Sequence, residues 1–71
     1  MVRLRVKEIA EQKAMSMGKL SRLADVSYKT VKRIYDDPLY SPTVATLGRL
    51  AKALGVPTAD LIEDVPDQQH S

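Results

Sequence analysis

A chain of 71 residues makes one domain, and a domain this small buries only about 60% of the surface its unfolded form exposes. It contains no Cys, which excludes a disulfide scaffold, a Cys-ligated zinc site and thiol catalysis, and leaves helix packing or a partner subunit to supply stability. The hydrophobic share of 44% and the charged share of 28% are ordinary for a globular domain, and there is no apolar run long enough for a membrane span.

The formal net charge of +2 hides an asymmetry. Positions 1–33 hold nine basic and three acidic residues, and the remainder holds two basic and six acidic ones. A basic half joined to an acidic half suggests a nucleic-acid face and a separate face for solvent or a partner. Met1 to Lys7 alternates basic and apolar residues without an apolar core, so no secretory signal is expected and the expected compartment is the reducing cytoplasm.

Val2, Leu4 and Val6 alternate with Arg3 and Arg5, which alone would read as a short strand. From Val6 the period lengthens. Val6, Ile9, Ala10 and Lys13 share one helical stripe, so a first helix is expected over about 5–14, with 2–4 as an arm leading into it. Ser16 reads as the N-cap of a second helix over about 17–24, with Leu20 and Ala24 inward. Asp25 and Val26 break it, because Asp tolerates a left-handed backbone. Ser27 caps a third helix running to Tyr35 or Asp36, with Val31, Ile34 and Tyr35 inward and Tyr28, Lys29, Lys32 and Arg33 outward. Pro38 disfavours helix for the residue before it and stops the third helix. Thr43 caps a fourth helix over about 44–54, with Leu47, Leu50, Ala51 and Leu54 inward and Gly55 as its C-terminal stop. A short fifth helix is expected over about 59–63 with Leu61 inward, and Pro66 onward reads as a frayed tail. The expected architecture is an all-α bundle of five short helices, a domain over 1–65 with a flexible tail at 66–71.

The second and third helices are the informative pair. Their apolar positions, Leu20, Ala24, Val26, Val31 and Ile34, describe two helices meeting around a tight turn at Asp25. Such a turn sets the helices at a steep angle and leaves one face of the second uncovered. Here that face carries Tyr28, Lys29, Lys32 and Arg33, and a projecting helix with donors on its outer face suits a DNA major groove.

These residues resemble the Cro/C1-type helix-turn-helix family, with its lambda-repressor-like fold. The resemblance covers roughly residues 5–62. It is carried by Ser16-Met17-Gly18-Lys19-Leu20, Ala24-Asp25-Val26-Ser27, Thr30-Val31-Lys32-Arg33-Ile34, Pro42-Thr43-Val44-Ala45-Thr46-Leu47 and Leu50-Ala51-Lys52-Ala53-Leu54-Gly55-Val56. The chain departs from the family pattern at several places. Met17 stands where a phosphate-binding Gln is usual, which leaves that contact to its backbone N–H. Ser21 replaces a small Ala and Asp25 the turn Gly. A frequent Arg–Glu ion pair between the first helix and the end of the third is replaced by Ala10 and Tyr35, so Tyr35 is expected to lie mostly buried against Ala10 and the fourth helix. The loop Asp36–Ser41 is one residue longer than the commonest form and lacks its Gly.

The resemblance implies a sequence-specific, double-stranded-DNA-binding regulator of transcription, without catalysis or cofactor. Tyr28, Lys29, Lys32 and Arg33 are the candidate base readers, with one of Lys32 and Arg33 facing the groove and the other a phosphate. The candidate phosphate contacts are Ser16, Met17, Lys19 and Arg22, then Ser27 and Thr30, then Tyr40, Ser41 and Thr43. One domain of this size reads half an operator, so a homodimer on DNA is expected, with Ile62 and Val65 beside Leu61 as its surface. Asp36 and Asp37 read as a helix stop and a repulsive edge against the wrong DNA register, and His70 as neither ligand nor catalyst. Metal spacings, phosphate loops and nucleophile motifs are absent from the sequence, so no metal is expected. Two further readings share the fold: the DNA-binding antitoxin of a toxin–antitoxin pair, which would also bind a partner protein, and a protein-interaction domain that has lost DNA binding. The basic outer face of the third helix argues against the latter.

Overall fold

The alternation at the N-terminus finds its partner at the far end of the chain. In the computed structural model, which describes residues 2–37 and 39–66, Val2–Leu4 forms a strand, β1, antiparallel to Ile62–Asp64, β2. Val2 faces Asp64, Arg3 faces Glu63 and Leu4 faces Ile62. Between the strands run α1 (Val6–Gln12), α2 (Met17–Ala24), α3 (Tyr28–Asp36), α4 (Val44–Leu54) and a 3₁₀ turn, Thr58–Leu61. The fold is therefore mostly helical, with four α-helices and a small sheet, rather than an all-α bundle of five. The expected fifth helix tightens into the 3₁₀ turn, and its last residues extend because β1 offers them hydrogen bonds. The expected tail and His70 lie, apart from Pro66, outside the described residues.

Arg5 fastens the start of α1 to this seam. Its N–H donates to the Leu61 carbonyl (2.8 Å) and its guanidinium to the Asp60 carbonyl (3.3 Å). On the sheet, Arg3 donates through Nε and Nη2 to Glu63 Oε1 (3.0 and 2.7 Å), a cross-strand pair of opposite charge.

The core is built from the stripes the sequence spaces at helical period. Leu20 and Ala24 of α2, Val31 and Ile34 of α3, and Leu47, Leu50, Ala51 and Leu54 of α4 are all buried, and Leu61 closes the bottom with no exposed surface. Val6, Ile9 and Ala10 of α1 join them, whereas Lys13 falls past the end of α1 and is exposed. Tyr35 is half-buried rather than mostly buried. It lines a cavity of about 150 Å³ with Arg3, Leu4, Lys7, Glu8, Glu11 and Ile34, so the side chains around it there belong to β1, α1 and α3. Burial, and next the Glu11 carboxylate, push its phenol pKa up.

Three helices end in the same way. In α1, Met15 N–H donates to the Ala10 carbonyl (2.9 Å) and Ala14 N–H to Glu11 (3.0 Å). In α2, Val26 donates to Ser21 (3.1 Å) and Asp25 to Arg22 (3.4 Å), and in α4 Val56 donates to Ala51 (3.0 Å) and Gly55 to Lys52 (3.2 Å). This is the paired bonding of the Schellman motif, which needs a left-handed residue at its centre. Those residues are Ala14 (φ 54°), Asp25 (φ 56°) and Gly55 (φ 73°). Ala14 accounts for the early end of α1, expected near residue 14 and found at Gln12, and it carries the largest steric penalty of the three.

Ala14→Gly is therefore expected to raise stability by about 0.5–1 kcal/mol, and Gly55→Ala, whose new Cβ meets open space, to lower it by about 1–2 kcal/mol through backbone strain alone. Urea unfolding midpoints moving in opposite directions check the pair.

Candidate nucleic-acid interface

Helix α3 owes its position to the three residues before it. Asp25 turns the chain left-handed (φ 56°, ψ 45°), Val26 buries its side chain, and Ser27 starts the next helix as an extended cap. Ser21 Oγ donates to the Val26 carbonyl at 2.6 Å, so the residue that replaces the small Ala braces the turn from inside α2. Ser27 Oγ accepts the Thr30 N–H (3.2 Å) and donates to Thr30 Oγ1 (2.9 Å).

With Val31 and Ile34 buried, helical period leaves Tyr28, Lys29, Lys32, Arg33 and Asp36 on one exposed face. Tyr28 keeps 50% of its surface in solvent. The four candidate base readers are thus together, but their surroundings differ. Lys32 Nζ donates to Asp36 Oδ2 at 3.2 Å, an exposed i,i+4 pair worth about 0.3–0.5 kcal/mol and easily exchanged for another anion. The Arg33 guanidinium carbon stands 4.4 Å from the centre of the Tyr40 ring. Lys29 forms no ion pair among the described residues. The i,i+4 spacing of Lys32 and Asp36 is visible in the sequence, and the pair adds an ion-pair role to the helix stop and repulsive edge expected of Asp36. The Arg33–Tyr40 contact spans a loop and left no local signal.

The candidate phosphate contacts divide by what their side chains already do. Ser16 Oγ accepts the Lys19 N–H (3.2 Å), and Thr43 Oγ1 accepts the Thr46 N–H (3.2 Å) and donates to Thr46 Oγ1 (3.0 Å). With Ser27, these hydroxyls serve first as caps. Each cap takes one first-turn N–H, and the remaining orphan amides at a helix start give it its affinity for anions. Met17 is half-buried against the core, so its backbone, not its thioether, is the group on offer. Lys19 and Arg22 on α2, and Ser41 in the loop, are exposed. The loop itself is closed by Tyr40 N–H donating to the Asp37 carbonyl (2.9 Å) and Leu39 N–H to Asp37 Oδ1 (3.1 Å), so an Asp turn does the work of the missing Gly.

Not all of the basic half faces outward for a ligand. Arg3 is matched by Glu63, and Arg5 by Glu8 at 3.0 Å. The Arg5 guanidinium, by hydrogen bond and then by charge, holds the Glu8 carboxyl below its ordinary range. Among the described residues, Lys19 and Arg22 of α2 and Lys29 and Arg33 of α3 pair with no carboxylate, as do Lys7, Lys13, Arg49 and Lys52 elsewhere.

The family model of the Cro/C1-type HTH DNA-binding domain matches residues 5–67. The chain belongs to this family. No curated protein matches the chain in a sequence comparison. As a Cro/C1-type domain it is a DNA-binding domain of the regulator class, acting on double-stranded DNA, and α2, the Asp25–Ser27 turn and α3 are its helix-turn-helix. Among the described residues, no helix of this Cro/C1-type chain is long and apolar enough to cross a membrane.

Because Ser27 Oγ is committed to the start of α3, Ser27→Ala should lower folding stability by about 1 kcal/mol in urea titrations without DNA present. A residue serving only as a phosphate ligand would leave the midpoint unmoved.

Proposed function

We propose that this chain is a sequence-specific transcriptional regulator that reads bases in the DNA major groove with α3 and binds its operator as a homodimer. The observation that carries the reading is the outer face of α3. Its inner side chains are fully packed and its exposed side presents Tyr28, Lys29, Lys32 and Arg33. Lys29 donates to guanine N7 and O6, and the Tyr28 ring meets a thymine methyl. Lys32 and Arg33 follow one turn on. Lys19, Arg22, Ser41 and the amide starts of α2, α3 and α4 set position on the backbone through phosphates, with Ser16 and Met17, Ser27 and Thr30, and Thr43 shaping those starts in turn.

A domain over 1–65 covers half an operator, so two copies match a two-fold site. Among the described residues six large apolar side chains are exposed, and four of them, Val2, Leu39, Val44 and Ile62, border one groove. None of the residues lining that groove carries a charge, so two like-charged copies approach there with least repulsion. Ile62 enters this surface from strand β2, not from a helix, while Val65, three residues further on, is half-buried.

Lys29→Ala should cost about 1–3 kcal/mol on the preferred site and relax the preference at one base position, whereas Lys19→Ala should weaken all sequences alike and lower the salt slope by about one. Titrations on specific and scrambled duplexes at several salt concentrations separate the two. Equal loss on both duplexes for Lys29→Ala would remove base reading from that residue, and no loss for either would favour a protein-interaction domain.

Ile62→Asp should give a folded monomer in sedimentation, with weaker operator binding. A wild-type chain that stays monomeric on its operator would refute the dimer surface.

A further inference from the structure

We propose that Tyr40 is a positioning residue whose ring holds the Arg33 guanidinium flat, with its N–H edges outward, to take one phosphate of the DNA backbone. The proposal rests on α3 being the DNA-facing helix. Tyr40 is half-buried and packs against the core, so its ring is a fixed platform, and the Arg33 guanidinium carbon lies 4.4 Å from its centre. A stacked guanidinium uses only its π-face. All five N–H donors lie in its plane and remain available for a bidentate acceptor. Among the described residues Arg33 pairs with no carboxylate, in contrast to Lys32, whose ammonium is held by Asp36.

The direction of the stack selects phosphate over base. Tyr40 belongs to the loop between α3 and α4, immediately before Ser41 and Pro42 and three residues ahead of the Thr43 cap. Leaning on that ring ties Arg33, in the last turn of α3, to the loop that leads into α4, one helical turn beyond Lys29. Arg33 then leaves the set of base readers, and Tyr40 contributes through its ring instead of its hydroxyl. A preformed donor also spares the side-chain ordering that a free Arg would undergo on binding.

Five proteins test this: wild type, Arg33→Ala, Tyr40→Phe, Tyr40→Leu and the Arg33→Ala/Tyr40→Leu double variant. Each is titrated on specific and scrambled duplexes across a salt series, with thermal melts as a control on folding. Tyr40→Leu should weaken binding about threefold on both duplexes, and Tyr40→Phe should retain what Leu loses. Arg33→Ala should lose affinity alike on both duplexes and lower the salt slope by about one. Adding Tyr40→Leu to Arg33→Ala should change nothing further.

Phe losing as much as Leu would put the contact on the hydroxyl and overturn the proposal. So would loss by Arg33→Ala confined to the specific duplex, or a full extra loss in the double variant. The stack itself is read without DNA, as an upfield ring-current shift of the Arg33 δ-protons that Tyr40→Leu abolishes. Its absence in the wild type overturns the proposal even if Tyr40→Leu unfolds. Wild type that shows this shift but binds neither duplex would refute the DNA-facing role of α3. Wild type that binds but is indifferent to Tyr40 would refute only the positioning role.

Discussion

One left-handed residue, Asp25, decides where α3 and its outer row of side chains go. Helix α2 cannot continue through φ 56°, and the next residue, Val26, is drawn into the core. Ser21 Oγ bonds the Val26 carbonyl, and Ser27 opens α3 at once. The direction of α3 thus follows from three residues bounded by a buried side chain on one side and a cap on the other. A longer or looser turn would let α3 swing, and the outer row of Tyr28, Lys29, Lys32 and Arg33 would lose its fixed relation to α2.

A small chain needs such economy because it has little core to spare. Among the described residues the buried set is entirely apolar, and no buried side-chain nitrogen or oxygen lacks a partner. Polar side chains work at helix ends and across the strand seam instead. Ser16, Ser27 and Thr43 start three helices, and Arg3 and Arg5 join the N-terminus to the residues around Leu61. The seam shields the lower core, and it occupies two cations that charge counting alone would assign to DNA.

The exposed cations that remain are graded by their neighbours. Asp36 compensates Lys32 at one end of α3, Tyr40 orders Arg33 without compensating it, and Lys29 is left to solvent.

The sequence by itself determined the four α-helices, their caps at Ser16, Ser27 and Thr43, the stop at Gly55 and nearly all of the core, because apolar period and capping are local and repeat within one or two turns. It also carried the helix-turn-helix, whose residues are contiguous and whose outward face follows from helical period once Val31 and Ile34 are placed. Only the tertiary structure decided the rest. Strand β2 is three residues of mixed polarity and becomes a strand because β1, from the other end of the chain, supplies its partner. Ala14 turns left-handed without any residue preference for doing so, because Met15 packs against the core as its amide closes on Ala10. Tyr35 is half-covered because β1 and α1 meet beside it, and Arg33 leans on Tyr40 because a loop closed by Asp37 brings that ring under α3. Each of these depends on groups that the chain brings together only on folding, and pairing of that kind leaves no period in the sequence to read.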